Sequence, residues 1–264
     1  MMPLMQPLSP RQQSILNRTV ETHIETAQPV ASQFLTDLYT GIYQSSYSSA
    51  TVRAEMGCLE EMGYLTHPHT SAGRIPTDLG YRYYVDHGLK EETPSEDLMS
   101  RVRQELSETA SEATEAFAEN ASRLLSQMTG EVSLVVISEA ARRGPHRLFF
   151  QGSSRMLEKP EFQDLDRVRP IFKTLEEKSG IAEWVLACTR EEGVSVKIGC
   201  ENEPEAFRCC SIVATRYGQG DNYFGAVAVF GPCRMKYSRT LPWVTQMAKT
   251  MKRILENIPF EESL

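Results

Sequence analysis

The stretch from Ser48 to Gly63 constrains the fold most. Two serines open it as good helix N-caps, and Gly63 is a C-terminal stop. At about 100° per residue, Val52, Met56 and Leu59 share one face. Ala50, Ala54 and Gly57 occupy the opposite face, flanked by Thr51 and Arg53. The apolar stripe must be buried, and the small outer residues let the helix lie close against another surface. Upstream, Ser9-Pro10-Arg11-Gln12 has the pattern of a capping box with Pro at the first helical position. Leu16, Val20, Ile24 and Ala27 then recur on one face until Gln28-Pro29 ends that helix. A second helix is predicted from Ser32 to Tyr39, broken at Gly41. Downstream, Tyr64 to Pro76 has two short β-like pieces around a polar, Gly-containing tip with one arginine, the pattern of a β-wing. Thr77-Asp78 caps a last helix with Tyr81, Tyr84, Val85 and Leu89 inward.

Three helices and a wing are the order of a winged helix-turn-helix, whose third helix enters the major groove of duplex DNA. The same module also serves as a protein-docking head, and the pattern alone leaves that alternative open. Charge argues against nucleic acid. The net charge is −7, and residues 1–89 hold only Arg11, Arg18, Arg53, Arg74 and Arg82 against eight acids. Binding must therefore rest on placement. The candidate contacts are Ser48, Ser49 and Thr51 near the helix start, and Arg53 as leading base reader. Ala54, mid-face, can touch only a thymine methyl. His69, Ser71 and Arg74 belong to the wing, and Arg82 lies beyond it. So few phosphate contacts predict a shallow salt dependence.

Enzymatic chemistry finds no foothold. HExxH, GxSxG and GxxxxGK[ST] are absent, and Gly218 and Gly220 fit a hairpin turn. The six cysteines form no CxxC pair and are expected as reduced thiols of a cytoplasmic protein. Cys209 and Cys210, placed on one strand, are expected to face opposite ways. His67-Pro68-His69 has no further ligand at metal-binding spacing, so neither a metal nor a cofactor is expected. No apolar run approaches the ~18–20 residues of a membrane helix, and Met1 to Pro10 is not a secretory signal.

The chain organises as a disordered tail (1–8), the winged-helix head (9–89), an acidic linker (90–97), and a linker helix with an α/β body (98–264). Leu98 to Met128 has one continuous 3–4 spacing and is predicted as a single long helix, lying on the body or pairing with its twin in a homodimer. Strands are predicted over Glu131–Ser138, His146–Gln151, Val194–Ile198, Cys209–Tyr217 and Tyr223–Phe230, with helices over Pro160–Lys178 and Leu241–Ile258. One antiparallel sheet flanked by helices is the economical assembly, giving an α+β fold class overall.

Several motifs together resemble one family. Ser48-Ser49-Ala50-Thr51-Val52-Arg53, Leu59-Glu60-Glu61-Met62-Gly63-Tyr64-Leu65, Pro68 through Asp78, and Gly80-Tyr81-Arg82-Tyr83-Tyr84-Val85-Asp86 are similar to the head of the bacterial heat-inducible transcription repressor HrcA. Pro160-Glu161-Phe162, Ile198-Gly199-Cys200-Glu201-Asn202 and Gly231-Pro232-Cys233-Arg234-Met235-Lys236-Tyr237 are similar to its body motifs, in the same order. The resemblance implies a winged-helix head and a GAF-like body. It implies a homodimer that binds a CIRCE-type inverted-repeat operator in double-stranded DNA, represses chaperone genes and receives folding help from the chaperonin GroEL. The alternative is a ligand- or partner-sensing regulator with a winged-helix docking head. Four departures stand out. The family's inserted dimerising module is missing between Ser138 and His146. Ala54 stands where the family usually has Asn. The stretch from Gly41 to Tyr47 is longer than the family's turn. Ala31 replaces the family's usual Gly.

Overall fold

Ser9 caps α1 (Pro10–Thr26): its hydroxyl accepts from the Gln12 amide, and the Gln12 side chain accepts in return from the Ser9 amide. The structure is a computed structural model describing residues 7–42, 47–69, 72–110, 114–138, 146–189, 193–219 and 222–257. The chain divides into two compact units, Met1–Lys90 and Glu91–Leu264.

In the first unit, α1 packs with α2 (Ser32–Ile42) and α3 (Ser49–Glu61). Ile15, Leu16 and Val20 meet Leu35, Tyr39, Val52, Met56 and Leu59, all buried. Gly41 does not break the second helix, which runs on to Ile42; one glycine costs only about 1 kcal/mol, which tertiary packing overrides. Strands β1 (Leu65–Thr66) and β2 (Ile75–Pro76) form the base of the wing. The unit closes with α4 (Asp78–Tyr83), capped by Thr77 and continued by a π-helical turn over Tyr84–Gly88. Leu8, assigned above to the tail, is buried, and its carbonyl accepts from the Gln13 side-chain Nε2.

The second unit opens with α5 (Glu96–Ala110) and α6 (Thr114–Thr129). These replace the single helix expected over Leu98–Met128. The two fold back on each other, with Arg123 paired to Glu105 and Asn120 donating to the Glu105 carbonyl. An unbroken helix of that span would run for about 46 Å. Folded in half, it lays α6 on the sheet, with α5 packed outside against α6 and α10. That sheet has five antiparallel strands in the order β4 (Arg147–Gln151), β3 (Val132–Ile137), β7 (Asn222–Pro232), β6 (Cys210–Gln219), β5 (Ser195–Ile198). β3 pairs with β4, Ile137 opposite Arg147, and only residues 138–146 separate the two strands, too few for an inserted domain.

One sheet face, with Val132, Leu134, Ile212, Ala214, Ala228 and Phe230, packs on α8 (Leu165–Glu176) and α9 (Lys178–Cys188) through Ile171, Leu175, Trp184 and Val185. A short helix, α7 (Ser153–Leu157), precedes them. The helix expected over Pro160–Lys178 is thus a 3-10 turn (Pro160–Phe162) followed by α8, and α9 was not foreseen. The opposite face carries Ser133, Val135, Ser211, Val213 and Val229 toward α6 and α10 (Tyr237–Glu256). The Ser122 hydroxyl donates to the Ser133 carbonyl, and the Tyr237 hydroxyl to Ser211 Oγ. Helices on both faces of an antiparallel sheet make the GAF-like α/β arrangement.

Candidate nucleic-acid interface

The local sequence presets the start of α3. Ser48 Oγ accepts from the Thr51 amide at 3.1 Å and lies 2.9 Å from Thr51 Oγ1. Val52, Met56 and Leu59 are sunk in the core, so Ala50, Arg53 and Ala54 are turned outward and exposed, with Ser49 and Thr51 half-buried beside them. A Cβ on Gly57 would meet open space. The exposed ridge therefore permits close approach along its length.

The wing is fastened at its root. Val30, just before α2, exchanges two backbone hydrogen bonds with Arg74, at 2.8 and 2.9 Å. A side chain on Gly73 would run into the Val30 carbonyl. Farther out, His69 is exposed, and its carbonyl accepts from the Ala72 amide. Ser71 lies outside the described residues, as do residues 43–46 of the connection to α3.

A second fastening comes from α3 itself. Glu60 Oε2 lies 2.7 Å from Arg74 Nε, and its other oxygen bonds His67 Nδ1. Burial pushes the Glu60 carboxyl up, but the His67 hydrogen bond and the Arg74 charge outweigh it and hold the group below its ordinary value. Sequence reasoning missed this carboxylate clamp. Its signal was the seven-residue spacing from Arg53, which puts Glu60 on the same side of α3, two turns on.

The arginines sort themselves by partner. Arg11 pairs with Glu55 at 3.4 Å, Arg18 with Glu21 at 2.7 Å, Arg74 with Glu60, and Arg82 with Asp86 at 3.1 Å. Arg53 has no acidic partner among the described residues. It borders a recess of about 420 Å³ between the start of α2 at Ser32, Met56 of α3, and Ala72-Gly73-Arg74 of the wing. The structure thus brings Arg53 and Arg74 to one concavity and leaves Arg82 engaged along α4. Among the described residues, no three His, Cys, Asp or Glu side chains gather as a metal site. No helix there is long and apolar enough to cross a membrane.

A family model for the HrcA protein C terminal domain matches residues 87–241. The chain belongs to the HrcA family. The heat-inducible transcription repressor HrcA of Shouchella clausii is 27% identical over 342 aligned positions, covering 94% of this chain and 98% of the relative. The protein of the same name from Acetivibrio thermocellus is 28% identical over 345 positions, covering 95% and 97%. Both alignments are longer than this 264-residue HrcA chain, so the relatives carry sequence that it lacks. A crystal structure described as that of a hypothetical protein at 2.2 Å resolution superposes with a TM-score of 0.71 at 19% identity, covering 94% of this chain and 98% of that one. It shares the fold.

Proposed function

We propose that this HrcA is a heat-inducible transcription repressor that binds an inverted-repeat operator in double-stranded DNA through α3 and the wing. The observation that carries this is Arg53: in an acidic head whose other arginines are held by carboxylates, it is the guanidinium left without one, and it flanks an exposed ridge of small residues. Arg53 reads a base edge, Ala50 and Ala54 permit close contact, and the amides at the start of α3 meet a phosphate. Ser48, Ser49, Thr51, His69 and Arg74 line the approach, and Arg82 gives a peripheral phosphate contact. Two heads on a homodimer engage half-sites spaced by whole helical turns. With no inserted domain between β3 and β4, dimerisation falls to the body. The protein works in the cytoplasm, without catalysis, and GroEL assists its folding, so that heat disconnects the heads by disturbing the body.

The test is a mobility shift of the full chain on an inverted-repeat operator and on scrambled DNA, with and without GroEL, alongside sedimentation of the free protein. Operator-selective retardation by a dimer is expected. Equal retardation on both DNAs, or none at all, overturns the proposal.

A further inference from the structure

Cys209 and Cys210 do not face opposite ways. β6 begins only at Cys210, so Cys209 sits in the turn before it, where strand alternation does not apply. The two sulfurs lie 3.7 Å apart, Cys209 exposed and Cys210 fully buried.

We propose that Cys209 and Cys210 form a modification site that a hydroperoxide converts to a reversible vicinal disulfide. The two thiols are unequal in the way the chemistry requires. Hydrogen bonding from Cys210 draws the Cys209 thiol down to about 7 against the opposing effect of burial, and a backbone hydrogen bond and the Arg167 charge assist. Near neutral pH its thiolate fraction is then on the order of ten times that of an ordinary thiol. Burial pushes Cys210 well up, which makes it a resolving partner and not a first target. Burial likewise lifts Cys188 to about 11 and leaves it inert. An exposed thiol of low pKa beside a second one is the arrangement of redox-sensing cysteines.

In the first step the Cys209 thiolate attacks one peroxide oxygen. An S–O bond forms, the O–O bond breaks, and the departing alkoxide or hydroxide takes up a proton. The Cys210 sulfur then attacks Cys209: the S–S bond forms, the S–O bond breaks, and water leaves with the Cys210 proton. Two thiols lose two electrons and the hydroperoxide gains them. Adjacent Cα atoms are only about 3.8 Å apart, below the usual disulfide range, so the product is easily reduced.

The experiment treats the reduced full-length protein with hydrogen peroxide and follows it by intact mass and peptide mapping. Loss of two hydrogens is expected, mapped within the 209–210 peptide and reversed by dithiothreitol. Cys58 and Cys200, both exposed, serve as internal controls and should react more slowly. Cys210→Ala removes both the resolving thiol and the hydrogen bond that activates Cys209, so it should form a Cys209 sulfenic acid more slowly but hold it for dimedone to trap, and Cys209→Ser should lose the reaction. Oxidation of Cys58 or Cys200 ahead of Cys209 overturns the proposal. So does a bond that maps to Cys233, measured in the unmutated protein and therefore independent of whether either variant folds.

Discussion

The head and the body differ in how deeply their best-covered ion pairs are sunk. In the head, ion pairs lie at the surface: Arg11–Glu55 and Arg82–Asp86 each leave one partner about half exposed. In the body, Glu131 is sunk to 6% side-chain exposure against Lys159, and nearby Arg234 holds Glu161 through two nitrogens. Exposed pairs contribute roughly 0–1 kcal/mol, whereas removing one partner of a buried pair costs about 3–5 kcal/mol. The body therefore commits these charges to the fold, while its other pairs, such as Arg123–Glu105, stay exposed like those of the head. The head can exchange its own for phosphate at little cost to stability, and keeps Arg53 in hand.

The largest expected effect tests the body half of that contrast. Lys159→Ala strands the Glu131 carboxylate and should cost about 3–5 kcal/mol in urea unfolding. Burial raises the Glu131 carboxyl above 4.5, its ordinary value, with the Lys159 charge pulling the other way. In the folded chain Glu131 thus holds its proton to higher pH than in the unfolded chain. Its contribution is complete below the unfolded value and is lost as pH rises through the folded one. Glu131→Gln should remove that slope, and Lys159→Ala should extend it to higher pH. A loss under about 1 kcal/mol at neutral pH for Lys159→Ala would place this pair with the surface pairs of the head.

Next in size is Arg53→Ala. It should weaken operator binding by about 1–3 kcal/mol and relax specificity, with thermal stability unchanged. An equal loss on scrambled DNA would make Arg53 a phosphate contact only.

The head was the more legible region because its signals are local. Ser9 with Gln12, Ser48 before Val52, and Thr77 before Asp78 each fix a helix start within four residues, and all three caps are present. Val52, Met56 and Leu59 told inside from outside on α3. The body strands were found for the same reason, since their apolar runs are short and bounded. What escaped depends on distant partners. The split between α5 and α6 leaves the 3–4 spacing intact on both sides, so periodicity cannot see it; the contact of Glu105 with Asn120 and Arg123 reveals it. α9 is apolar nearly all round, with Ile181, Ala182, Trp184, Val185 and Cys188 buried, and so carries little amphipathic signal. At the interface, the outward placement of Arg53 was readable from the helix period. The capture of Arg74 was not, because Glu60 reaches it only once the wing folds back against α3.

A smaller effect, of about 1 kcal/mol, is expected for Ser48→Ala, which removes the acceptor for the Thr51 amide at the start of α3. Chemical denaturation reads the loss. DNA affinity should fall no further than the fraying of that first turn explains, and a loss as large as that of Arg53→Ala would promote Ser48 to a direct contact.

The smallest change in stability belongs to Glu60→Gln, and it probes the boundary between the two uses of charge. Glu60 holds both ends of the wing through His67 and Arg74, yet the pairs are partly solvated, so the loss should stay within about 1 kcal/mol. Because the Glu60 carboxyl is held below 4.5, its contribution is present at neutral pH and fades as pH falls through the native value; the variant should flatten that acid limb. Binding should move in the opposite sense to stability. Freed from the carboxylate, Arg74 becomes a second available guanidinium at the recess it shares with Arg53. Affinity for any duplex should then rise, and the slope of log K against log salt should steepen by about one. If the slope stays as it was, the Arg74 guanidinium does not reach DNA even when released from Glu60, and Arg53 stands alone as the cation offered to DNA.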